Sequence, residues 1–220
     1  MKKQVLLTAA VMSVTSVMAQ KINYPQAPKD NTVDTYFGVK VADPYRPLEN
    51  DSSKATAEWV KKENEVTQQY LARIPFRSKL FQRMKELANY EKLSAPSYNK
   101  AIGKWLFYKN NGLQNQSVLY VMDHLGDEKN ARILLDPNKL SEDGTVALKS
   151  ISFSHNGKYA AYAISRSGSD WEEFYVMNPQ TGELLDDHIM WAKFSGAAWQ
   201  GDGFYYSAYD APVKGHEYSN

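Results

Sequence analysis

Apolar and polar positions change rhythm twice along this chain. Between residues 54 and 91, apolar side chains recur at helical spacing: Ala55, Trp59, Val66 and Tyr70 share a stripe, with Val60 and Leu71 beside it. Pro75 interrupts, and a second stripe runs through Phe76, Leu80, Phe81, Met84, Leu87 and Ala88. Two amphipathic helices are predicted, each with an apolar face to bury. Their polar faces mix Glu with Lys, which argues against helices lying on a membrane surface. From about Ser97 the rhythm becomes that of strands. "KWLFYKN", "SVLYVMD" and "ARILLD" are short aromatic or β-branched runs separated by Gly, Asn and Asp clusters. "KSISFS", "KYAAYAIS", "EEFYVMN", "GELLDD", "AKFSGAAW" and "GFYYSAYD" continue the pattern.

The strands come in repeated groups. "AIGKWLFYKNNG" (101–112), "SHNGKYAAY" (154–162) and "WQGDGFYYSAY" (199–209) are versions of one turn-and-strand unit. Gly103 and Gly157 are 54 apart, and Gly157 and Gly203 are 46 apart. Tyr120-Val121-Met122 recurs 55 residues on as Tyr175-Val176-Met177. A period near 50, with about four strands in each copy, predicts β-propeller blades. A β-sandwich would give strands at this spacing but would not repeat the turn together with its partner strand. Propellers close with roughly four to eight blades, and residues 98–220 hold about two and a half at this period. The expected fold is mainly β: an incomplete propeller preceded by an extended arm and a helical pair.

The N-terminus adds a different signal. Lys2 and Lys3 precede an uncharged run from Val5 to Val17, and Val17-Met18-Ala19 offers the small residues of a signal peptidase site. A signal peptide over 1–19, cleaved near Ala19, predicts export to the periplasm or beyond. No later stretch is long and apolar enough to span a bilayer. Residues 21–53 are proline-rich, with short β-like pieces such as Thr35–Val41, and read as an arm that needs a surface to lie on. The domain plan is therefore 1–19 signal, 20–96 arm and helices, and 97–220 partial propeller.

Composition removes several kinds of chemistry. There is no cysteine, so disulfides and thiolate metal sites are excluded. The 26 basic and 25 acidic residues nearly cancel without a block of one sign, which argues against a nucleic-acid partner. The 15 Tyr and 5 Trp suit a pleated surface. No G-x-S-x-G elbow is present, since "SRSGSDW" lacks the first glycine and falls in a loop. Phosphate-binding glycine motifs are also missing. "HEYSN" begins like a zinc motif but has Asn220 where the second His belongs, so no metal or other cofactor is expected. His124, His155, His188 and His216 fall in expected turns or strand ends and read as solvated residues. Asp186 and Asp187 read as a turn between strands. Asn115-Gln116-Ser117 matches a glycosylation sequon, which means little if the exporter is bacterial.

Several longer motifs carry a resemblance. "DPYRPLEN" (43–50), "WVKKEN" (59–64), "NNGLQNQSVLYV" (110–121), "SRSGSDWEEFYVMN" (165–178) and "AKFSGAAW" (192–199) resemble, in order, the N-terminal half of prolyl oligopeptidases. Pro47 stands where that family usually has Trp, and His155-Asn156 replaces its common Pro-Asp. The resemblance implies a seven-bladed propeller covering an α/β-hydrolase domain, in a serine endopeptidase that cuts short peptides after proline. It implies that the arm and helices pack on the hydrolase domain, which would follow Asn220 and carry the catalytic Ser, Asp and His. No catalytic residue is then expected in this chain, which is expected to be inactive alone. The resemblance also implies that Asp170 and Phe194 look into the cavity between domains, Asp170 toward a peptide amino end and Phe194 toward an apolar side chain near the scissile proline. The plain alternatives are a turn residue at Asp170 and an alternating core residue at Phe194. A non-catalytic periplasmic propeller used as a binding scaffold is the competing function.

Overall fold

In the computed structural model, described over residues 22–50 and 53–211, the chain divides into two compact units at Pro75/Phe76. The signal-peptide reading (1–19) and His216 lie outside the described residues.

The first unit holds a hairpin and one helix. Strands β1 (Val33–Tyr36) and β2 (Val39–Ala42) pair antiparallel around Phe37-Gly38. Both turn residues have positive φ, 51° and 83°, as a two-residue turn matching the strand twist requires. Arg46 ties the arm together through Asp34 and through a 2.7 Å bond from its Nε to Asp43. The Arg46 hydrogen bond holds the Asp34 carboxyl below its ordinary value. Helix α1 (Lys54–Ala72) starts at Ser53, whose Oγ accepts from the Thr56 backbone N–H at 3.1 Å. Thr56, the buried residue of this helix, donates through its hydroxyl to the Pro47 carbonyl.

The second unit opens with helix α2 (Arg77–Ala88), none of whose residues is buried. Three sheets follow. The first contains β3 (Lys92–Leu93), β4 (Ser97–Asn99), β5 (Lys104–Asn110), β6 (Val118–Met122) and β7 (Arg132–Leu135). β3 and β4 pair with opposite ends of β5, so together they fill one strand position. Pro96 lies between them and has no N–H to give to a ladder. The second sheet is an antiparallel meander of β8 (Val146–Phe153), β9 (Ala160–Arg166), β10 (Glu172–Met177) and β11 (Leu184–Ala192). The third is the ribbon β12 (Ala198–Gln200) with β13 (Gly203–Tyr205).

The sequence period is visible as geometry. Phe107 on β5 faces Tyr120 on β6 with stacked rings 5.3 Å apart, and Tyr162 on β9 faces Tyr175 on β10 with stacked rings 5.6 Å apart. Both members of the pair are displaced by the same 55 residues. The first two sheets thus carry the same cross-strand aromatic pair at the same place. Left-handed glycines mark the repeated turns at Gly103, Gly157 and Gly201. In the third copy the turn glycine is Gly201, because Gly203 already begins β13.

The sheets stack face to face. One buried cluster combines Leu119, Val121 and Leu134 of the first sheet with Tyr162, Ile164 and Met177 of the second. A smaller one joins Ala163, Phe174 and Ala192 of the second sheet to Phe204 of the ribbon. β9 is covered on both faces, which is why it reads as a nearly unbroken apolar run. Stacking of this kind is how propeller blades bury both faces. Hydrogen bonds stitch the seams: Arg132 Nη2 to the Pro179 carbonyl at 2.6 Å, and Trp199 Nε1 to Ser152 Oγ at 3.0 Å. The fold is mainly β, an incomplete propeller with two full blades and part of a third among the described residues.

Two assignments need correction. Asp186 and Asp187 are not in a turn but within β11, the outer strand of the second sheet. His188 is also inside β11, with its ring stacked on Tyr175 at 4.5 Å. The polar run "DDH" hid a strand whose outward positions need no apolar residue.

Candidate functional site

Asp170 and Phe194 come together at one end of the second sheet. Asp170 sits in the loop between β9 and β10, which Ser167 and Gly168 enter with positive φ (51° and 76°). The Ser169 backbone N–H donates to the Arg166 carbonyl, and Ser169 Oγ accepts from the Trp171 N–H, closing a tight turn. Phe194 lies just past the end of β11. It is not an alternating core residue: it is 77% exposed, outside any strand, and has φ of 51°. A bulky side chain in that region is a costly arrangement.

Lys193 links the two. Its Nζ is 3.8 Å from Asp170 Oδ2, 5.1 Å from the centre of the Trp171 ring and 5.3 Å from that of Phe194. Trp171 meets Trp191 and Tyr209 edge-on, at 5.6 and 5.5 Å. Trp191 also has positive φ (61°), and its carbonyl accepts from the Tyr209 N–H. The result is an aromatic platform with two exposed rings, Phe194 and Tyr209, and one ion pair. An exposed pair of this kind contributes little to stability. Its chemical effect is to offset the Asp170 charge, leaving carboxylate oxygens that can accept hydrogen bonds without a net field that gathers cations. Asp170 and Phe194 were marked in the sequence through motif resemblance. Lys193, Trp171, Trp191 and Tyr209 were not, although the run Trp191–Phe194 beside "SGSDW" held the signal.

A second polar cluster lies on the face of the same sheet. Glu173 accepts from Arg166 through both carboxylate oxygens (2.7 and 3.3 Å), from Tyr175 Oη at 2.8 Å, and from His188 Nε2 at 3.0 Å. Burial pushes this carboxyl up, but the hydrogen bonds from Arg166, Tyr175 and His188 outweigh it and hold it at about 2. A carboxylate so saturated with donors is a poor proton acceptor, so the cluster reads as structural. Hairpin register could have revealed it, since Arg166 and Glu173 are diagonal neighbours across β9 and β10. Among the described residues, no group of three or more His, Cys, Asp or Glu converges as a metal site would need.

The fold defines a propeller module, with this platform at one end of its second blade. Comparison with known proteins names its family. Residues 25–220 match the model for the prolyl oligopeptidase N-terminal β-propeller domain. The prolyl endopeptidase of Elizabethkingia meningoseptica is 45% identical over 95% of this chain and 30% of its own length. Prolyl oligopeptidase A of Amanita bisporigera is 36% identical over 84% of this chain and 28% of its own. Among solved structures, prolyl oligopeptidase B of Galerina marginata, bound to a 35mer hydrolysis and macrocyclization substrate, aligns with a TM-score of 0.65 and 34% identity, over 86% of this chain and 30% of that one. The chain belongs to the prolyl oligopeptidase family, and it spans about 30% of the length of these relatives.

Proposed function

We propose that this chain is the propeller-bearing N-terminal portion of an exported serine endopeptidase that cuts short peptides after proline. The observation that carries the reading is the family match over residues 25–220, on a chain whose sheets stack as blades. The reaction is acyl transfer by an activated serine with an oxyanion hole, performed by an α/β-hydrolase domain outside these residues. The propeller acts as a size filter, because a narrow passage beside the active site admits only short, flexible peptides. Residues 20–96 supply the arm and helices that pack on the hydrolase domain, and residues 1–19 direct export. Phe194 meets an apolar side chain near the scissile proline, and its strained backbone and exposed ring support that role. Asp170 accepts hydrogen bonds from the peptide's amino end.

The test uses a proline-containing chromogenic peptide. The purified 220-residue chain is expected to give no turnover, and a longer chain carrying the hydrolase domain is expected to give turnover. In that longer chain, Phe194→Ala raises KM with kcat little changed, because it removes uniform binding. Turnover by the 220-residue chain overturns the assignment of chemistry to another domain. An unchanged KM removes Phe194 from the site.

A further inference from the structure

We propose that Asn156-Gly157 is a deamidation site that Asp202 holds closed, placed where three sheets meet. The turn between β8 and β9 touches all three. Gly157 has φ of 69°, and a Cβ there would collide with the Ala101 carbonyl of the first sheet. Only glycine fits. Asn156 Nδ2 donates to Asp202 Oδ1, beside the ribbon strand β13, at 2.6 Å, while Asn156 Oδ1 accepts from Ser154 Oγ at 2.8 Å and the Lys158 N–H at 3.1 Å. An aspartate at 156 could not donate to Asp202 and would set two carboxylates against each other. Packing therefore demands glycine at 157, and the seam demands an amide at 156. Together they fix the dipeptide in which ring closure meets the least steric hindrance.

The chemistry needs only water. The Gly157 nitrogen attacks Asn156 Cγ as its proton passes to solvent base. The Cγ–Nδ2 bond breaks, and the amide nitrogen leaves as ammonia with a proton taken from water. Water then opens the cyclic imide, giving aspartate if it adds at Cγ or isoaspartate if it adds at the main-chain carbonyl. In the folded chain, two contacts oppose the attack. The Gly157 N–H donates to the Ser154 carbonyl at 2.9 Å, and the bond to Asp202 fixes the side-chain amide. Once formed, the new carboxylate faces Asp202, with Lys158 Nζ, 3.7 Å from Asp202 Oδ2, as a partial counter-charge. Conversion thus removes one of the bonds between the second sheet and the ribbon and leaves that of Trp199 Nε1 to Ser152 Oγ.

The chain supplies its own reference. Asn111-Gly112 is a second Asn-Gly pair, in the first sheet's loop, where the Gly112 N–H donates to Asn110 Oδ1 at 2.8 Å with no link to Asp202. The purified 220-residue chain is incubated in mildly alkaline buffer, and acid formation at both asparagines is followed by peptide mapping. Asp202→Ala is expected to speed conversion at Asn156 about tenfold, the ratio matching loss of one charge-assisted hydrogen bond, with Asn111 unchanged. Asp202→Asn keeps an acceptor oxygen and stays slow. In thermal melts, Asn156→Asp lowers the midpoint, and the double variant Asn156→Asp/Asp202→Asn, which swaps donor and acceptor, restores it. An unchanged rate at Asn156 in Asp202→Ala, equal acceleration at both sites, or no recovery in the double variant overturns the proposal.

Discussion

The blades and the N-terminal segment carry similar apolar side chains and treat them in opposite ways. Phe174 in β10 is 1% exposed, while Phe81 in α2 is 60% exposed. Thr56 is the single buried residue between positions 22 and 100 among those described, whereas β9 is buried along nearly its whole length. Periodicity is equally clear in both regions. It identifies a face but not the partner that covers it. In the sheets, each face is covered by the next repeat, so the sequence supplies its own partner. The helices α1 and α2 have no such repeat.

The strongest way to break this comparison is to truncate one ring in each region. Phe174 packs against Phe204 and Tyr206, with ring centres 5.8 and 6.4 Å apart. Phe174→Ala is expected to cost about 3–5 kcal/mol in urea unfolding, whereas Phe81→Ala should stay within about 0.5 kcal/mol. Comparable losses would mean that the stripe of α2 is buried after all.

A second, smaller effect separates packing from polar stitching inside the blades. Glu173 is held at about 2, below its ordinary value of 4.5, so its ionised form is favoured in the folded state. The stability it contributes is complete above about 4.5 and is lost as pH falls through about 2. Wild type should lose about 1–2 kcal/mol more than Glu173→Gln over that interval, allowing for solvent screening. Parallel stability curves for the two proteins would show that the Arg166–Glu173–Tyr175–His188 cluster does not hold the sheet.

The sequence made the repeat legible because each blade needs the same turn, the same aromatic pair and the same two-sided burial. β5 was anticipated to the residue, and the Tyr120/Tyr175 correspondence marked equivalent strands. Local patterning failed where a strand faces outward, as at Asp186–His188, since polarity there mimics a turn. It failed again at Lys193-Phe194, where "AKFSGAAW" alternates like a strand but the backbone turns left-handed after Ala192. Positive φ at a phenylalanine has no signature in hydropathy. Resemblance marked Asp170 and Phe194, while the residues that join them required geometry.

The smallest expected effect addresses that last point. Phe194 is exposed like Phe81, yet it sits at the end of a packed strand. Were it a core residue, replacing it would cost several kcal/mol, as at Phe174. Phe194→Gly removes a left-handed bulky residue, which relieves about 1–2 kcal/mol. Against this stand glycine's extra unfolded-state entropy, about 0.5–1 kcal/mol, and the loss of the ring's contact with Lys193, about 0.5 kcal/mol. The sum runs from about −0.5 to about +1 kcal/mol, and denaturant titration should find the variant no more than about 0.5 kcal/mol less stable than wild type. A loss above about 1.5 kcal/mol would make Phe194 a packing residue. A smaller loss or a gain would mean that folding does not require this strained ring, in keeping with the peptide contact proposed for it.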